Sequence, residues 1–108
     1  MTDEVVRLPD NFIGKEDQAR LESFGAYLIV HGLATRWHWN RRRGIDVAFE
    51  LFRGGADEVR MFYIERSRAN DVFVLNDGEG RALERGKLDH IMAVVDRAVR
   101  EPWSDGLA

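Results

Sequence analysis

The chain contains no cysteine. That absence excludes disulfides, thiolate metal sites and cysteine nucleophiles together, and it fits a reducing compartment. Long apolar runs are missing as well. The longest, Ala26 to Val30 and the equally long Ile91 to Val95, are far short of the roughly 20 residues a helix needs to cross a bilayer. The opening Met1-Thr2-Asp3-Glu4 is acidic and lacks an apolar core, so no signal peptide and a cytoplasmic location are expected. Serine is confined to Ser23, Ser67 and Ser104, none of them in a nucleophile elbow. Nor is there a basic excess. The net charge of −3 argues against a generic nucleic-acid coat, which needs a strongly positive surface.

What is present suits a folded chain. Its 108 residues are 44% hydrophobic and 32% charged, enough for one domain with one core and too apolar for disorder. The basic residues are nearly all arginine, with only Lys15 and Lys87 as exceptions. Arginine forms forked bonds and stacks on aromatic rings, which suits interfaces, although a GC-rich coding sequence gives the same bias.

Residues 1–10 are polar and read as a loosely held arm. A helix is expected from about Lys15 to His31, with Glu16 and Asp17 favourably placed in its first turn and Gly32 as its stop. The run Leu28-Ile29-Val30 leaves a strand open as the alternative over 26–33. Period-two alternation predicts strands over 33–40, 45–53 and 58–66, with Gly54-Gly55-Ala56-Asp57 as a hairpin loop. The run Val72-Phe73-Val74-Leu75 predicts a fourth strand over 71–76. A last helix is expected from Glu84 or Lys87 to Arg100, with Leu88, Ile91, Met92, Val95 and Val99 on one stripe and Pro102 as its end. Trp103 could then fold back onto the core. The expected fold is α+β: an antiparallel sheet of about four strands between two helices, both on one face.

Register assigns the faces. Pairing Arg53 with Glu58 sets Phe49 opposite Phe62, and a shorter loop moves the register by two without changing parity. Ile45, Val47, Phe49, Leu51, Phe62 and Ile64 therefore share the face that the helices cover, joined by Phe73 and Leu75. The other face should hold Asp46, Ala48, Glu50, Phe52, Met61, Tyr63, Glu65, Val72 and Val74. Aromatic side chains among carboxylates suit a sheet that meets a partner, and are also common on a sheet that simply faces water.

The most distinctive stretch is Arg36-Trp37-His38-Trp39-Asn40-Arg41-Arg42-Arg43. Arginine and tryptophan are typical interface anchors, and exposed aromatics beside arginine can also stack bases. The alternation favours both tryptophans packing inward. His31, His38 and His90 match no zinc spacing, so no metal is expected. His38 could meet Glu50, Glu65 and Tyr63 as an acid–base cluster. Asp46 and Glu50 lie about 13 Å apart along one strand, long for a cooperating pair of carboxylates. Asp46 could approach Glu65 across the hairpin. Gly78-Glu79-Gly80 begins a dinucleotide fingerprint, but Leu83 stands where the third glycine belongs. Gly86-Lys87 ends like a phosphate loop, but Leu88 replaces the hydroxyl residue. Asn76-Asp77-Gly78 reads as a turn, since a calcium loop would need a later bidentate glutamate.

The expectation is thus a non-enzymatic adaptor, inhibitor or regulatory protein with no cofactor and no membrane contact. It binds a protein partner, or a second copy of itself, through Arg36, His38, Arg41, Arg42, Arg43, Phe52 and Tyr63. Nucleic-acid binding through segment 36–43 is the first alternative. A small-molecule enzyme or ligand-binding domain, with a polar cluster on the outer face, is the second.

Overall fold

A computed structural model describes residues 13–41, 47–67 and 72–101. The order is α1 (Lys15–Val30), β1 (Arg36–Arg41), β2 (Val47–Arg53), β3 (Val59–Arg66), β4 (Phe73–Asp77), β5 (Ala82–Gly86) and α2 (Leu88–Arg100). The five strands form one antiparallel sheet in chain order. The architecture is the expected α+β arrangement with one strand more. The arm at 1–10, Arg42 and Arg43, Ile45 and Asp46, the turn at 68–70, and Pro102 with Trp103 lie outside the described residues.

Residues 26–30 are helical. α1 carries Glu16 and Asp17 in its first turn, where carboxylates complement the helix dipole. It ends in a Schellman motif. Gly32 takes φ 71°, while the Leu33 amide bonds Leu28 O at 2.8 Å and the Gly32 amide bonds Ile29 O at 3.0 Å. A left-handed turn of this kind favours glycine. Leu21 and Leu28 are fully buried, but Val30 is 79% exposed. α2 is more cleanly amphipathic: Leu88, Ile91, Val95 and Val99 are buried, and Met92 packs beside them. The helices meet through an Arg20–Asp89 ion pair. Arg100 adds a second link by donating to the Tyr27 hydroxyl and to Asp96.

Both helices cover the face bearing Phe49, Leu51, Ile64, Phe73 and Leu75, which joins them in one core. Of the residues expected on this face, these five are in the core and Phe62 packs against it, whereas Val47 is not in the cluster. The register differs in detail, with Phe49 opposite Ile64 and Leu51 opposite Phe62. The cause is a register shift between Leu51 and Phe52, after which Phe52 opposes Arg60. A bulge sets two residues of one strand against one of its partner. Met61, expected on the outer face, is consequently 4% exposed and part of the core. Arg60 takes the outward position.

The chain after β4 was expected to run through a loop into the last helix. Residues 82–86 instead form β5, paired with β4 from Phe73↔Gly86 to Asn76↔Ala82. A helix starting at Glu84 is thereby replaced by one starting at Leu88. Backbone pairing to β4 overrides the local helix preference of Ala-Leu-Glu-Arg.

Candidate functional site on the outer sheet face

Cross-strand register lines up one polar row. His38 opposes Glu50, Glu50 opposes Tyr63, Tyr63 opposes Asn76, and Asn76 opposes Ala82. Side chains in such positions point the same way from the sheet and touch across it. The row crosses all five strands on the face away from the helices. Two of its members are deeply buried although neither α1 nor α2 covers them: Glu50 at 5% exposure and Asn76 at 6%.

Glu50 is the hub. Its Oε1 accepts from His38 Nδ1 at 3.0 Å. Its Oε2 accepts from Arg60 Nη1 at 2.8 Å and from Asn40 Nδ2 at 3.2 Å. A carboxylate can only accept, so the proton of this His38 contact sits on Nδ1. Burial alone would push the Glu50 carboxyl up. The bonds from His38, Arg60 and Asn40 outweigh it and hold the group below its ordinary value. Arg60 also donates to Gly78 O at 2.9 Å, tying the β4–β5 turn to the hub.

Two arginine–aromatic stacks flank this network. The Arg36 guanidinium lies 4.2 Å from the Phe52 ring centroid, and that of Arg60 lies 4.5 Å from Tyr63. Arg36 is further held by Glu58, with Nη2 2.8 Å from Oε1. Of the expected partner residues, Arg36, His38, Phe52 and Tyr63 are therefore gathered on one face. Arg41 sits apart at the end of β1, 5.3 Å from the Trp39 ring centroid and bonded to Gln18 at 3.4 Å. Glu65 occupies the neighbouring row opposite Val74. Arg60 escaped the sequence reading, because its outward position depends on a bulge that leaves no local signature.

Both tryptophans face the core, as the alternation favoured. Trp37 stacks on Phe49 at 5.6 Å and Trp39 meets it edge-on at 5.0 Å. Trp39 Nε1 also donates to Glu22 at 2.7 Å. Gly25 is what lets α1 come this close, since a Cβ there would lie 2.6 Å from Trp37 Cδ1.

The remaining features with a chemical suggestion resolve as structure. Asp89 pairs with Arg20 on α1, whereas His90 meets Glu84 on β5 at 2.6 Å. Among the described residues, no three His, Asp or Glu side chains converge as a metal-binding group. The Asp77 carboxylate caps its own turn by accepting from the Glu79 and Arg81 amides, each at 2.9 Å. A Cβ on Gly78 would fall 1.9 Å from Arg60 O, so close backbone packing explains that glycine. Open depressions among the described residues include the following two. One of about 460 Å³ lies between the helices, lined by Phe24, Tyr27 and Met92 among others. The other, about 490 Å³, lies beside Arg60, Asp77 and Gly78.

Fold and face together define a class: an α-β5-α domain whose open sheet face carries a buried-carboxylate network edged by arginine–aromatic stacks. No protein-family model, curated protein or solved structure matches the chain. Among the described residues no helix is long and apolar enough to cross a membrane.

Proposed function

We propose that this chain is a protein-binding module, an adaptor or inhibitor rather than an enzyme, acting through the outer sheet face. The observation that carries this reading is the pair of arginine–aromatic stacks, with Arg60 held by Glu50 and Arg36 by Glu58. Arginine and aromatic side chains dominate interface hot spots. Fixing them before the partner arrives lowers the ordering cost of binding. The geometry weighs against acid–base chemistry, because both Glu50 oxygens are occupied and its carboxyl is shifted away from neutral pH. It also weighs against base stacking on Trp37 or Trp39, which are engaged with the core.

The test compares cross-linked complexes recovered by wild type, Phe52→Ala, Tyr63→Ala and a helix-side control, Arg20→Ala. The reading expects the same partner with wild type and control, and at least about tenfold less with either face variant, all four melting cooperatively. Equal recovery by all four would sink it. Light scattering of the free protein identifies a self-partner by a mass above 12.4 kDa.

A further inference from the structure

We infer that the free edge of β1 accepts an acidic, extended segment of another protein as a sixth strand. This deepens the protein-binding reading and rests on it, but it uses a different surface.

Among the described residues β1 is an edge strand, paired with β2 alone. An edge strand presents alternate N–H and C=O groups to whatever approaches, and proteins usually blunt such edges with proline, bulges or twist. β1 has no proline. Its six pairs with β2, from Arg36↔Phe52 to Arg41↔Val47, run without a register shift, whereas the β2–β3 and β4–β5 ladders each contain one. Trp37 and Trp39 pin the strand to Phe49 from the helix side. The edge is thus regular and anchored, the condition for strand addition.

Charge selects the occupant. From Gly32 to Gly44 the sequence holds four arginines and no carboxylate, in a chain of net charge −3. Arg36 is already paired with Glu58. Arg41 is exposed, and its contacts among the described residues are with the uncharged Trp39 and Gln18. The opposite edge, β5, mixes Glu84 with Arg85 and runs directly into α2. A second copy is a poor occupant for β1, because self-pairing would bring the arginines of both strands together, and opposed like charges destabilise a ladder. An acidic strand meets those arginines favourably and is steered toward them.

The probe is a short amidated peptide alternating glutamate and valine, titrated by fluorescence anisotropy against the full chain. Three comparison probes are its lysine–valine counterpart, versions N-methylated on alternate residues in either register, and a single-stranded oligonucleotide of matched charge. The expected result is binding of the acidic peptide with slowed amide exchange along β1. Affinity should fall about tenfold for one N-methylated register and for Arg41→Glu, whose fold is checked by its melting curve. Strand addition is overturned if the acidic peptide does not bind, if the lysine peptide binds equally, or if neither N-methylated register weakens it. It is also overturned, in favour of nucleic acid, if the oligonucleotide displaces the peptide and leaves β1 exchange unchanged. Tyr63→Ala, on β3 and not on β1 or its neighbour β2, should bind the peptide as wild type does. Loss of partner recovery in that variant with intact peptide binding separates the two readings.

Discussion

The two faces of the sheet bury side chains by different means. On the inner face Phe49, Leu51, Ile64 and Leu75 are fully buried under the helices, and the driving force is removal of apolar area from water. On the outer face Glu50 and Asn76 are almost as deeply buried, on the side away from α1 and α2. There Glu50 is bonded by His38, Asn40 and Arg60, Tyr63 stands opposite both buried groups, and the energetics are those of hydrogen bonds. Such bonds contribute little net stability when made and cost more when one partner is missing. The inner face is therefore expected to govern how stable the fold is. The outer face governs which arrangement of polar groups is shown to a partner.

The largest effect should come from the inner face. Phe49→Ala removes the ring on which both tryptophans pack, and truncations of this kind cost about 3–5 kcal/mol. A urea titration should show a much lower midpoint, and near-ultraviolet circular dichroism should lose the tryptophan signal together with it. A cost below about 1 kcal/mol would mean that the two faces are not as different as drawn.

On the outer face, Glu50→Gln keeps the shape but removes the charge that His38 and Arg60 share. Both partners are partly open to water, which limits the loss to about 1–3 kcal/mol. Its pH dependence is the sharper measurement. The Glu50 carboxyl sits below its ordinary value of 4.5 in the folded chain, so at acid pH the unfolded chain takes up the proton first. The stability this group supplies is complete above the ordinary glutamate range and is lost as pH falls through the folded value. Urea midpoints of wild type and variant should differ at pH 7 and converge on acidification. A constant gap down to pH 3 would show that the carboxylate network contributes nothing through its charge.

The inner face was legible because parity survives an error in loop length. Phe49, Leu51 and Ile64 stay together whether the hairpin shifts by two or not. The outer face was only half legible for the same reason. His38, Glu50 and Tyr63 follow from alternation, but the bulge beside Phe52 exchanges Met61 for Arg60, and nothing local in Arg60-Met61-Phe62 announces it. β5 was hidden differently. Leu83 is 46% exposed and Ala82-Leu83-Glu84-Arg85 is made of good helix formers, so only pairing with β4 reveals a strand. Of the hub, the His38–Glu50 contact was legible from alternation, but the bonds from Asn40 and Arg60 that bury Glu50 were not, because they depend on partners on other strands and not on its own neighbours in sequence.

The smallest expected effect has the opposite sign. Asn76 faces Tyr63 and Ala82 in the polar row, and its Nδ2 is buried with no hydrogen-bond partner among the described residues. An unmet buried donor carries a desolvation cost of about 1–3 kcal/mol, whereas an apolar group of similar shape carries none. Asn76→Val should therefore raise the urea midpoint at unchanged slope by about 0.5–1 kcal/mol, since a β-branched side chain also suits a strand. The equivalent polar-to-apolar exchange has no counterpart on the inner face, where Leu75, the next residue of the same strand, is already fully buried and apolar. If the variant is more stable yet recovers less partner, the outer face is keeping a polar group at a cost in stability, as sites kept for binding often do. If it is less stable, Asn76 is satisfied in solution, and the two faces are then equally optimised for folding.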